Sequence, residues 1–193
     1  SIRYASSRQC GDLVMLIFVS DLHLCDSPRG EPFTVSRLVE RLDIIANQAN
    51  SKKTNNATVV LLGDIFEVLK SRKWIDNGVR PWEPNSEEHE NTVDSILESI
   101  VQENEVFFEG VRYLSDKYSF LDFRYVAGNH DLPLSTAMGA RARDRLIEEL
   151  PLAGTNDRFS DIFLDSEHSV YARHGHQYDP DNRYQAKTAA IGD

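Results

Sequence analysis

Leu13-Val-Met-Leu-Ile-Phe-Val19 is an apolar run without a polar face, and it breaks off at Ser20-Asp21. A branched, non-alternating run of this length suits a strand covered on both sides, as in a parallel sheet flanked by helices. Ala57-Thr-Val-Val-Leu-Leu62 repeats the pattern and ends at Gly63-Asp64, and Phe120 to Ala127 ends at Gly128-Asn129-His130-Asp131. Between the first two runs, Val35, Leu38, Val39, Leu42, Ile45 and Ala46 recur at helical spacing over residues 34–50, with Thr34 placed to cap. Strand, helix, strand in this order argues a parallel pair and an α/β class.

Further along, Val93, Ile96, Leu97, Ile100, Val101, Phe107, Phe108, Val111 and Leu114 predict a long amphipathic helix, or two, over about 88–117. Residues 135–149 read as helical, 161–165 and 168–173 as strands of a meander, and a helix is expected from about Asp181. Residues 71–87 show no period. Loops of that length are often functional, and Arg72, Lys73, Trp74, Arg80 and Trp82 fit either a phosphate-binding lid or a loop pinned by buried tryptophan.

A chain of 193 residues suits one domain. Residues 1–12 are expected to be a disordered or appended N-terminus, and residues 13–193 the domain. The net charge of -10 argues against a broad nucleic-acid-binding face, which needs clustered Lys and Arg, and is compatible with bound cations. Cys10 and Cys25 lack metal-binding or redox spacing, and no apolar run approaches the ~20 residues of a membrane span. A cytoplasmic location is expected.

Each polar cluster follows a predicted strand, and ligands of open α/β sheets bind outside the carboxyl ends of strands. The fourth cluster is His174-Gly175-His176. Two Asp, an Asn and several His form a donor set suited to Mn, Zn or Fe more than to Ca or Mg. Asp21-x-His23 alone is weak, since roughly one chain in two of this composition carries a D-x-H by chance. Gly128-Asn-His-Asp131 is expected on the order of 0.002 times. Taken singly, Asp21 reads as a turn, His89 and His168 as structural, and Asp26 and Arg29 as an exposed turn or as substrate contacts just beyond the first block.

In this order and context, Ser20-Asp-Leu-His-Leu24, Leu62-Gly-Asp-Ile-Phe-Glu67, Ala127-Gly-Asn-His-Asp131 and Arg173-His-Gly-His176 resemble the calcineurin-like metallophosphoesterase family over residues 13 to about 178. The resemblance implies a layered α/β/β/α sandwich with its metal site at the strand C-terminal ends. It implies that Asp21 and His23 hold one divalent transition metal, that Asp64 bridges two, and that Asn129 and His174 hold the second. Such a pair activates a water as hydroxide and clamps the oxygens of an in-line displacement. His130, one residue past a ligand, is expected either to protonate the leaving oxygen or to stabilise the transferring phosphoryl group, with Glu67 or Asp131 orienting it. His176 stands between a supporting contact and a solvent-facing turn. The family's last Gly-His-x-His block is absent, so the domain is expected to lack its C-terminal part.

The expected function is metal-dependent hydrolysis of a small phosphorylated substrate, whether monoester, diester or pyrophosphate. Two alternatives are a nuclease built on the same site and a non-catalytic metal-binding or scaffold module with an incomplete site.

Overall fold

The computed structural model of the chain describes residues 2–9, 12–27, 33–83, 86–154 and 159–179. Its main sheet runs in the order β1 (Ile2–Gln9), β2 (Asp12–Val19), β3 (Asn56–Leu62), β4 (Leu121–Val126). The last three are parallel, with Val14 opposite Asn56 and Ala57 opposite Leu121. Their apolar runs become central strands because both faces are covered: Val59, Val60 and Phe123 are fully buried.

The N-terminal stretch, expected to be disordered or appended, carries the edge strand β1. Ile2–Gln9 pair antiparallel with β2, Ile2 opposite Val19 and Gln9 opposite Asp12. Ser6-Ser-Arg-Gln9 carries little apolar signal, and an edge strand is held by backbone pairing more than by an apolar face.

Helix α1 (Phe33–Ser51) links β2 to β3; it begins one residue before the expected cap Thr34 and buries Leu38, Leu42, Ala46 and Ala49. The connection from β3 to β4 contains the single turn α2 (Lys73–Asp76) and then α3 (Glu87–Glu103) and α4 (Glu105–Lys117). Helices α1 and α4 pack together, as do α3 and α5 (Ala140–Glu149). Ser86 caps α3 by accepting from the His89 backbone N–H, with Glu87, Glu88 and Glu90 in the first turn beside the positive end of the helix dipole.

The apolar repeat over 88–117 resolves into two helices because Asn104 interrupts it. Its Nδ2 donates to the Ile100 carbonyl and to the Cys25 carbonyl, 2.8 and 3.0 Å away, so one side chain ends α3 and holds the loop after β2. Residues 132–139, partly expected to be helical, form two 3-10 turns around Pro133 and Gly139, and α5 starts at Ala140.

Beneath the strand ends, the Phe66 ring stacks on Phe108 and Tyr125 at 6.1 and 6.0 Å. Burying each ring stabilises the fold by roughly 1.5–3 kcal/mol. A hairpin, β5 (Phe163–Asp165) and β6 (Val170–Ala172), is shorter than the predicted strands; Phe163 meets Phe18 of β2 edge-on at 6.0 Å. The Ala127 N–H donates to Ser160 O at 3.1 Å, so the segment before the hairpin joins the end of β4, and β6 carries the chain to His174. The helix expected from about Asp181 lies outside the described residues.

Candidate metal centre

The loops after β2 and β3 extend their pairing past the strand ends. Asp21 N–H donates to Gly63 O, His23 N–H to Asp64 O and Leu24 N–H to Ile65 O, at 3.2, 3.0 and 2.8 Å. The Glu67 N–H returns to Leu24 O at 2.8 Å. Within this double loop Asp21, His23 and Asp64 have φ of 58°, 49° and 52°. The left-handed region costs a residue with a Cβ roughly 1–2 kcal/mol. Three such residues, all with side chains of a metal-ligating type, mark a place where the backbone is held for the sake of the side chains.

Asp64 is the centre of the cluster. Its Oδ1 accepts from the His130 backbone N–H at 2.9 Å. Its Oδ2 lies 3.6 Å from His174 Nε2, 3.9 Å from His23 Nε2 and 4.0 Å from His130 Nε2. Those separations are long for hydrogen bonds, and Asp64, His23 and His174 offer the oxygen and nitrogen donors that would hold a divalent transition metal. His174 Nε2 also lies 3.4 Å from Asp21 Oδ1, so Asp21, Asp64 and His174 bring one ligand atom each within 4.8 Å of one another.

His23, Glu67 and His130 form a second group, again with one ligand atom each within 4.8 Å of one another. Glu67 Oε1 faces His130 Nδ1 at 2.7 Å, Oε2 faces His23 Nδ1 at 3.1 Å, and Lys70 Nζ lies 3.4 Å from Oε2. Burial raises the Glu67 carboxyl, but the hydrogen bond and charge of His130, with those of Lys70, outweigh it and leave it below the usual range. Asp21 behaves alike: burial raises it, but the hydrogen bonds of Ser20 and His174, with the His174 charge, outweigh that and leave it below its ordinary value.

Asp131 is turned away from the cluster. Fully buried, it accepts from the Gly128 and Ile65 N–H groups at 2.5 and 3.2 Å, beside Tyr125. Burial, with the nearby charge of Asp64, pushes its carboxyl up to about 6. Its contacts hold the 128–131 turn against the 63–67 loop, while Glu67 is the carboxylate on the His130 ring. Val68 and Leu69 N–H groups both donate to His130 O at 3.2 Å, fastening the same two loops together.

Asn129 sits half-buried in that turn, directly before His130. His174 stands beside Asp21, its Nε2 3.4 Å from Asp21 Oδ1; the resemblance implied it as a ligand of the second metal together with Asn129. The ring of His176 is beside it, Nδ1 to Nδ1 at 3.2 Å, so His176 supports His174.

Two glycines make room. A Cβ on Gly63, whose φ is 77°, would come within 2.5 Å of the His174 side chain. A Cβ on Gly128 would overlap Asp64 Oδ1 and the Asp64 N. Both glycines are visible in the motifs, but their steric role is not, and the placing of Lys70 against Glu67 carried no sequence signal beyond its i, i+3 spacing.

The 71–83 segment divides between the two readings. Trp74 is buried, donates from Nε1 to Val68 O at 2.8 Å and packs on His89 at 5.0 Å. Lys73 Nζ donates to Ser95 O, Ser95 Oγ and Ser99 Oγ at 2.6, 2.9 and 2.6 Å. Arg72, Arg80 and Trp82 are exposed, with Arg72 paired to Asp76 and Arg80 to Glu83. His89 and His168 take structural places, His168 on Asp165 at 2.8 Å.

The family model for calcineurin-like phosphoesterases matches residues 15–189. The chain belongs to that family. The phosphoesterase carries the family's α/β sandwich, with its candidate ligands at the ends of parallel strands. At the level of the family it is a metal-dependent hydrolase of phosphate esters. Neither the curated proteins nor the solved structures compared with the chain gave a match. Among the described residues, no helix of the phosphoesterase is long and apolar enough to cross a membrane.

Proposed function

We propose that the chain hydrolyses a small phosphorylated substrate, a phosphomonoester, phosphodiester or pyrophosphate, at a dinuclear site. The observation that carries this reading is the convergence of three imidazole Nε2 atoms on Asp64 Oδ2 at 3.6–4.0 Å, with Asp21 beside them. Hard carboxylate oxygens mixed with imidazole nitrogens fit Mn, Zn or Fe. Asp21, His23, Asp64, Asn129 and His174 would hold two such ions. When bound, they would neutralise phosphoryl charge and acidify the attacking water.

The protein's own groups do the rest. Asp64, fixed by the His130 N–H, presents one oxygen to the side where Asp21 and His174 stand and where the rings of His23 and His130 point. His130, hydrogen-bonded through Nδ1 to Glu67, turns Nε2 toward the site and gives the leaving oxygen its proton from the doubly protonated ring. Asp131 acts at one remove, holding the turn that bears Asn129 and His130. The net charge of -10 favours a small substrate over a nucleic acid. The free, buried thiol of Cys25 suits a reducing compartment, and we place the protein in the cytoplasm.

The test is turnover of a panel of phosphomonoesters, phosphodiesters and pyrophosphates by the chain loaded with Mn, Zn or Fe, with bound metal quantified. Hydrolysis of one class, abolished by a chelator and restored by metal, is expected. Bound metal with no turnover of any ester would favour a non-catalytic module, and no bound metal would remove the reading altogether.

A further inference from the structure

Glu67 receives a hydrogen bond from each of two histidines of the site. Its side chain is 2% exposed, and its two oxygens are divided, Oε1 on His130 Nδ1 and Oε2 on His23 Nδ1. An ionised carboxylate only accepts hydrogen bonds, so both Nδ1 atoms must be the protonated ones. The rings stand edge to face, centroids 4.7 Å apart and planes at 90°, so neither turns without displacing the other.

We infer that Glu67 is a single clamp for both imidazoles, fixing the Nδ1–H form of His23 and of His130 together and leaving the Nε2 of each facing Asp64. Orientation of one histidine by one carboxylate is a common support for a metal ligand. Here the same carboxylate serves a metal-ligating histidine and the histidine that protonates the leaving group. Loss of Glu67 is therefore expected to weaken metal binding as well as proton delivery, and this consequence rests on the reading of His23 as a ligand. Lys70 closes the outer side of the carboxylate at 3.4 Å from Oε2.

Glu67→Gln separates this role from simple packing. It has nearly the same shape but one acceptor oxygen, so it can receive only one of the two Nδ1–H groups, and the other imidazole must move its proton to Nε2. The experiment is long-range proton–nitrogen NMR of the imidazoles in metal-free protein at about pH 8, where histidine is ordinarily neutral. His23→Gln and His130→Gln assign the signals.

The wild-type chain is expected to show Nδ1 protonated and Nε2 bare in both rings. Glu67→Gln should move one ring to the Nε2–H form and weaken Mn binding in calorimetry by about 10–100-fold, with unchanged circular dichroism. Either ring in the Nε2–H form in wild type overturns the clamp, whether or not the variant folds. Both rings unchanged in a folded Glu67→Gln, or unchanged metal affinity, also overturns it. The tautomers are read without metal or substrate: a chain with the expected tautomers that hydrolyses nothing refutes the proposed function alone, and an active chain with other tautomers refutes the clamp alone.

Discussion

Asp64 holds its place because the residues pressed against it are small. Gly128 lies in contact with its carboxylate and its backbone N, and Gly63 leaves space for His174. Gly128→Ala should push the Asp64 carboxylate off the position where the three imidazoles meet. Misplacement of about 1 Å costs on the order of 100-fold in rate, so kcat/KM of the metal-loaded variant should fall by about that factor while circular dichroism stays native. Unchanged turnover would mean that Asp64 is not held by this contact.

Asp64→Asn isolates the charge instead. Asn tolerates the left-handed φ that Asp64 adopts, so the loop should survive. Losing the shared carboxylate is expected to lower turnover by about 1000-fold or more, a few kcal/mol of transition-state stabilisation. The check is kcat alongside metal content. The motifs announced these residues but not their company: Asp21 and His23 occupy neighbouring positions in a tight loop, yet one side chain meets His174 and the other Glu67. That division follows from the left-handed turns at both residues, which a spacing of two does not reveal.

At the scale of elements, the connection between β3 and α3 is the region where sequence patterning said least. It holds two tryptophans and four Lys or Arg residues, and the structure gives one of each a structural task. Lys73→Ala removes three hydrogen bonds to α3, and each contributes about 1 kcal/mol net. The variant should unfold at lower urea concentration yet keep its kcat/KM; a selective loss of activity would restore Lys73 to substrate binding.

His89 adds a pH dependence to the same region. It is fully buried against Trp74, with Nε2 3.4 Å from Pro81 O, and burial depresses its pKa below 6.5. The unfolded chain then takes up the proton before the folded one does. The contribution of neutral His89 is complete above 6.5 and is lost as pH falls below it toward the folded value. Urea midpoints at about pH 7.5 and about pH 5 should differ less in His89→Phe than in wild type. An equal difference would remove His89 from the acid response. The tandem α3–α4 shows why periodicity alone could not settle this region: the apolar faces run on, and only the amide of Asn104, bonded to Ile100 O, ends the first helix.

For the whole molecule, the three parallel strands and the residues at their ends were legible because a strand buried on both faces leaves an unbroken apolar run, and its polar stop shows where the run meets the site. Strand β1 was not, since its pairing is a backbone matter and its sequence is mixed. The same topology explains why residues as distant as Asp21 and His174 can share a centre: parallel strands deliver all their following loops to one edge, and the hairpin adds a fourth. The claim that this edge is a two-metal centre is tested most directly by an anomalous-difference map of crystals grown with Mn. Two peaks flanking Asp64, within bonding distance of Asp21, His23, Asn129 and His174, are predicted; no peak at Asp64, or one confined to surface carboxylates elsewhere, would contradict it.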